Sequence, residues 1–132
     1  LYYVEGNIHS QLGDTEAAVK SYEQCTQINP NYEYGYIGEG ILFYNLAVED
    51  QEKASEEMDD KKYMELVAKF EKDLKACIEP FEKAYALTND DTIKVSIAEY
   101  LKNAYYRFSS SDDAMKAAYD KYAEVVSTGV PK

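Results

Sequence analysis

The sequence predicts an all-α protein, a helix-hairpin repeat array of about six helices with an elongated antiparallel helix pair in the middle. Three observations lead to this prediction. A Tyr-x-x-Glu-Gly motif begins at Tyr2 and again at Tyr36, and a fixed period of this size indicates stacked repeat units. Apolar and small residues recur at helical spacing between short breaks. The sustained apolar-polar alternation that is typical of strands is lacking.

The first unit, residues 1–32, is predicted to be a helix hairpin. Gly13 can adopt the left-handed conformation that ends a helix, and Asp14 or Thr15 can cap the next one. Pro30 ends the second helix, because it has no backbone donor and restricts the residue before it. Two helical stripes follow from this division: Tyr2, Gly6, His9 and Leu12, then Ala18, Tyr22, Cys25 and Ile28.

The second unit, residues 33–90, opens in register with the first and closes late. Its opening helix repeats the first with an offset of 34 positions, which relates Gly6 to Gly40. Its closing helix has an offset of 59 positions, so the unit is longer by 25. About seven helical turns have that length, so lengthening both helices preserves their facing surfaces. The displaced counterparts of Ala18, Tyr22, Cys25 and Ile28 are Cys77, Phe81, Ala84 and Leu87.

The extra length predicts a projecting hairpin whose arms are each longer by roughly 18 Å. Steps of four and three along both arms are typical of an antiparallel coiled-coil pair. Asp59 and Asp60 supply the turn and the N-cap, and the polar residues near the tip predict weak packing there. The expected seam is Ile37, Ile41, Tyr44, Val48, Gln51, Ser55 and Met58 on the first arm, and Tyr63, Val67, Phe70, Leu74, Cys77 and Phe81 on the second.

The third unit, residues 91–127, is predicted to be one more helix pair. Residues 89–91 form a break and a cap, and residues 109–113 form a turn rich in capping side chains. The unit is either a degenerate repeat or a capping helix pair, which terminal repeats often are. Its expected stripes are Ile93, Ile97, Tyr100, Leu101, Ala104 and Phe108, then Ala114, Ala118, Tyr122 and Val126.

The first unit resembles the tetratricopeptide repeat, which is a helix hairpin that stacks into an α-solenoid. The residues that match the family's pattern are Tyr2, Gly6, Ala18, Tyr22 and Pro30. Glu5 and His9 depart from it, since the family has Leu and Tyr at these positions. In the third unit the pattern fits only as Ala98-x-x-Leu101-Lys102-x-x-Tyr105 followed by Ala114-x-x-x-Ala118, with Lys102 where the family has Gly.

The resemblance implies a groove, lined by the first helix of each repeat, that holds a peptide or helix of a partner. Tyrosine, asparagine and arginine are suited to such a surface because they combine contact area with a polar tip. Alternatively, Ile37, Ile41 and Tyr44 only pack against the long hairpin. The family's carboxylate clamp is not predicted, because Tyr3 stands where a Lys would be. The candidate groove residues are Tyr3, Asn7, Tyr34, Ile37, Ile41, Tyr44, Asn103, Tyr106 and Arg107.

Composition narrows the possible partners. The 132 residues correspond to one domain. A net charge of −11 argues against nucleic acid, and no apolar run is long enough for membrane insertion. Residues 49–60 hold seven acids and one Lys, which indicates a solvated helix face or a site for a basic partner.

The chain starts inside a helix without an initiator Met, so we expect it to be part of a longer protein.

No catalytic residue, metal site or cofactor is predicted. His9 occupies a packing position, and Glu-x-x-His pairs of the kind used in carboxylate metal sites are lacking. Cys25 and Cys77 are expected to be buried free thiols, with a disulfide as the alternative. We therefore expect a non-enzymatic module that binds a protein partner in its groove. The alternative is a structural scaffold in which copies pair through the long hairpin or the open edge at Leu1.

Overall fold

A computed structural model describes residues 1–132, and it is all-α, as predicted. Neighbouring helices pack as three hairpins, and the middle hairpin is much the longest. None of the helices is both long enough and apolar enough to cross a membrane. The helices are α1 (Tyr2–Gln11), α2 (Thr15–Ile28), α3 (Glu33–Glu56), α4 (Asp60–Leu87), α5 (Asp91–Phe108) and α6 (Asp113–Thr128).

The helix boundaries fall at the predicted turn residues. Gly13 follows α1 with a positive φ of 79°, which side chains other than glycine rarely adopt. Asp14 caps α2 by accepting a hydrogen bond from the Ala17 amide at 3.2 Å. Asp59 and Asp90 cap α4 and α5 in the same way. These short side chains satisfy amide groups that a helix N-terminus leaves without partners.

Two aromatic rings occupy equivalent places in the first two hairpins. The Tyr22 ring packs against Gly6, where an added Cβ would lie 2.6 Å from the ring. The Phe81 ring packs against Gly40, where an added Cβ would lie 2.8 Å away. The two offsets found in the sequence, one relating the glycines and one relating the rings, therefore correspond to equivalent contacts. Tyr22 also packs against Gly38, so one ring joins α1, α2 and α3.

The predicted seam of the long hairpin is right for α4 from Phe70 onward. Val67 is half-buried, and Tyr63, near the tip, is largely exposed, which agrees with weak packing there. The buried members of the α4 seam are Phe70, Leu74, Cys77 and Phe81.

The predicted seam of α3 is wrong by one position. Gln51, Ser55 and Met58 are exposed. The contact with α4 is made by smaller residues, which allow the two helices to approach closely. The prediction missed them because it looked for large apolar residues and so overlooked glycine and alanine. The residues buried on this side of α3 are Gly40, Ala47, Asp50 and Ala54.

Asp50 departs from the solvated face predicted for residues 49–60, since it is buried inside the hairpin. Lys69 lies 3.1 Å from Asp50 and 2.9 Å from Asp73 and so bridges the two carboxylates. Burial raises the pKa of Asp50, and so does the neighbouring Asp73, because the protonated form of Asp50 can donate a hydrogen bond to that carboxylate. The bond to Asp73 raises the pKa of Lys69, which keeps the lysine charged. This cluster satisfies the polar groups of the long hairpin where the apolar seam is interrupted.

The apolar interior consists of two unequal clusters. The larger has 14 buried residues on α3 to α6, and the smaller has Ala18, Tyr22 and Leu42. Cys25 and Cys77 are buried and free, as predicted. Burial raises the pKa of Cys77 to about 12, so its thiol is uncharged and packs as a small apolar group.

The stripe predicted for α6 needs a correction. Ala114 is exposed and Val126 is only half-buried, whereas Tyr122 and Val125 are buried. Tyr122 stacks on the Tyr105 ring and meets the Tyr85 ring edge to face, so it is the buried aromatic residue of α6. The error arises because a spacing of four relates Ala114, Ala118 and Tyr122 equally well, although only Tyr122 of these is buried.

Candidate functional site: a groove across the first helices of the three hairpins

Four cavities lie next to one another across α1, α3 and α5, and together we call them the groove. The first lies between α1 and α3 and has a volume of about 230 Å³. Two lie between α3 and α5, with about 310 and 360 Å³. The fourth, of about 530 Å³, lies between the long hairpin and the end of α5. Neighbouring cavities share the lining residues Ile37 and Ile41, then Ser96 and Tyr100, then Tyr44 and Asn103.

All nine candidate groove residues line this series of cavities. The structure thus brings together side chains from three helices that lie far apart in the sequence, from Tyr3 on α1 to Arg107 on α5. Their role in binding remains a prediction.

The α1 end of the groove is rich in tyrosine. The Tyr3 ring lies 5.9 Å from that of Tyr32 and 6.1 Å from that of Tyr34, measured between centroids. The Asn7 side-chain oxygen accepts a hydrogen bond of 2.5 Å from the Tyr22 hydroxyl, and burial raises the pKa of Tyr22 to about 12. Asn7 is therefore held by an internal bond, which leaves its side-chain NH₂ group to donate into the groove.

In the middle of the groove, the same side chains contact the apolar core and line the cavities. Ile37 and Ile41 contact the larger apolar cluster with one side and line the groove with the other. Tyr44 meets the Tyr100 ring edge to face at 4.9 Å, and its hydroxyl accepts a hydrogen bond from Asn103 at 3.3 Å. Packing against the hairpin and lining the groove are thus compatible roles for these residues.

The hairpin end of the groove contains Tyr106 and Arg107. The Tyr106 side chain is 62% exposed and contacts Tyr119 at a centroid distance of 5.4 Å. Arg107 lies 3.1 Å from the Glu71 carboxylate and over the Phe70 ring. Its charge is therefore neutralised within the chain, so this end of the groove has contact area without a free cation.

Sequence analysis did not assign Glu99 and Ser96 to the groove, although both line it. Helical spacing could have found them, since they precede Asn103 by about one and two turns and so share its face of α5. Tyr100 was expected in the core stripe, and it also lines the groove.

The side chains that line the groove are mostly aromatic, aliphatic or amide-bearing. The residues that line its four cavities include no histidine and no cysteine. No group of three or more His, Cys, Asp or Glu side chains in the chain could hold a metal ion. The arrangement presents aromatic rings, branched aliphatic side chains and amides, which suit the recognition of another chain.

The C-terminal tail lies outside the groove. Gly129 ends α6 with a positive φ of 70°. The Lys132 amide then donates to the Tyr85 hydroxyl at 3.1 Å, and Tyr85 lines none of the groove cavities. Residues 129–132 therefore do not occupy the groove.

A comparison with known protein families identifies the first hairpin as a repeat unit. Residues 1–32 match the family model of the tetratricopeptide repeat. The chain carries a tetratricopeptide repeat. Searches of curated proteins and of solved structures give no match. A tetratricopeptide repeat is a unit of protein-protein interaction surfaces, and repeats of this kind present such surfaces through stacked helices.

Proposed function

We propose that the chain acts as one interaction domain whose groove binds a segment of a partner protein without catalysing a reaction. The observation that carries this proposal is the row of neighbouring cavities from α1 to α5, in which each cavity shares lining residues with the next. The groove crosses all three hairpins, so an extended or helical segment could contact each of them. Tyr22 joins the first hairpin to α3, and Phe81 of the second hairpin stacks on Tyr100 of the third, which supports the view that the three hairpins act together.

Exchange of Tyr106 for glutamate tests the groove. Tyr106→Glu is expected to reduce the amount of partner captured from native cell extract by about tenfold or more, since exposed aromatic residues often dominate binding energy. The side chain is mostly exposed, so the variant should fold, which circular dichroism can verify. Quantitative mass spectrometry of the captured proteins, with wild type beside the variant, provides the measurement.

Tyr63→Glu is the matched control, because Tyr63 is an exposed tyrosine on the long hairpin and lines no groove cavity. It should leave capture unchanged. A partner that is lost with Tyr63→Glu and kept with Tyr106→Glu would move the binding surface from the groove to the hairpin arm.

A second candidate function is assembly of copies through the open edge of α1. Val4 and Ile8 correspond in the repeat to Gly38 and Leu42 of the second hairpin, which pack against Tyr22 of α2. The α1 face thus has the character of a helix-packing surface, and exposed apolar stripes of this kind favour association. The exposed apolar residues of this face are Leu1, Val4, Ile8 and Leu12.

The variant Val4→Glu with Ile8→Glu tests this second candidate. If copies associate through the edge, the average mass of wild type should rise with concentration in analytical ultracentrifugation, and the double variant should remain monomeric. Gln24→Glu with Gln27→Glu on α2 adds the same charge elsewhere and should behave as wild type. A wild type that stays monomeric at high concentration would exclude assembly through this edge.

A further inference from the structure

One cavity of the groove combines two aromatic rings with a carboxylate. It has a volume of about 360 Å³ and is lined by Tyr44, Ser96, Glu99, Tyr100 and Asn103. We propose that this cavity, named here the Glu99 cavity, binds a lysine or arginine side chain of the segment in the groove. This inference rests on the proposed function, and it defines the chemistry of the partner.

The aromatic part of the Glu99 cavity is held in place before any partner binds. Tyr100 stacks on the fully buried Phe81 ring, with the two planes inclined by 13°. Tyr44 stands at 82° to the Tyr100 ring and is held by its bond with Asn103. Rings fixed in this way can contact a cation without losing further conformational entropy, and tyrosine faces attract ammonium and guanidinium groups.

The charge of the cavity is negative and has no internal partner. Glu99 is exposed and belongs to none of the six ion pairs of the chain. The only cation that lines the groove is Arg107, which is paired with Glu71. A basic side chain in the cavity would therefore neutralise a free carboxylate, whereas an acidic one would meet a like charge.

The tyrosines of the cavity are also free of internal cations. Six contacts between a lysine or arginine and an aromatic ring occur in the chain, and none involves Tyr44 or Tyr100. No cation of this chain therefore competes for these two rings, and Phe81 covers one face of Tyr100. Ser96 and Asn103 also line the cavity, and their side-chain oxygens can accept hydrogen bonds from the bound ammonium or guanidinium group.

Selection from a phage library of random peptides tests the assignment directly. Peptides selected on wild type should share a lysine or arginine at one fixed position relative to their apolar residues. Peptides selected on Glu99→Gln should lose this preference. Glu16→Gln, which removes one exposed charge from α2, should select the same peptides as wild type.

A synthetic peptide from the wild-type selection then gives the size of the effect. Replacing its selected lysine by norleucine, or Glu99 by glutamine, should each weaken binding by about tenfold in fluorescence anisotropy. Trimethyl-lysine should largely retain binding, because it keeps the positive charge and the contact with the rings.

The outcomes separate this inference from the proposed function. Selected peptides that lose binding with Tyr106→Glu but show no basic preference would refute the Glu99 cavity and leave the groove as the binding site. Selection that yields no peptide sensitive to Tyr106→Glu would refute both. Binding that is equal with lysine and norleucine would also overturn the assignment of the cavity.

Discussion

Replacing Phe81 by alanine is expected to lower the free energy of unfolding by about 3–5 kcal/mol, the range for a large aromatic side chain lost from a core. Phe81 is fully buried in the larger cluster. It contacts Gly40 on α3 and stacks on Tyr100 of α5 at 4.9 Å. The cavity left by the substitution would lie where three helices meet, so it cannot close by the movement of one side chain. Urea denaturation followed by circular dichroism measures the loss.

The control is Tyr63→Ala on the same helix, where the side chain is 47% exposed. It should change the free energy of unfolding by about 0.5 kcal/mol or less, as surface substitutions usually do. A loss below about 1 kcal/mol for Phe81→Ala would show that the ring is not a central contact of the three helices, because such burial ordinarily contributes more.

Gly38→Ala is expected to destabilise the protein by about 1–3 kcal/mol, as overpacking of a tight contact does. The direction of the change in stability is informative, because replacing glycine by alanine at an open helical position stabilises a protein by about 1 kcal/mol. At Gly38 the new methyl group would overlap the Tyr22 ring, which is itself buried between α1 and α3. Thermal and urea unfolding of wild type and variant provide the comparison.

A double-mutant cycle with Tyr22→Leu isolates the contact. Leucine is smaller than tyrosine, so Gly38→Ala should cost less in the Tyr22→Leu background than in wild type. The two substitutions should therefore be non-additive by more than about 0.5 kcal/mol, the usual error of additivity for distant sites. Additive effects would mean that the ring and the glycine do not share one packing space.

The sequence predicts the helices of this protein better than it predicts their facing sides. Capping residues act locally, so Asp14, Gly13 and Asp90 mark the boundaries correctly. The α4 seam is also recovered, because it consists of large apolar residues at helical spacing. The α3 seam is missed because Ala47 and Ala54 carry little apolar surface, and because Asp50 is buried through its pairing with Lys69.

The groove could be predicted in outline but not in its chemistry. Helical spacing places the candidate residues of each first helix on one face of that helix, and stacking of the hairpins brings the three faces together. The Glu99 cavity depends on which side chains remain without internal partners. That distinction needs the positions of α4 and α5, since Arg107 is neutralised by Glu71 and Glu99 is not. From the sequence alone, Arg107 and Glu99 are both charged residues, and the paired one cannot be told from the unpaired one.

The division of the interior into 14 and three buried residues implies unequal cooperativity along the array. Local unfolding follows the apolar contacts that a segment must break, so α1 and α2 should open at a lower free energy than the helices of the larger cluster. A partner that spans the groove from Tyr3 to Tyr106 would join a readily opened hairpin to a stable one. Its affinity would then include the cost of ordering the first hairpin, and binding would protect the amides of α1 and α2 from exchange with solvent more than those of α4.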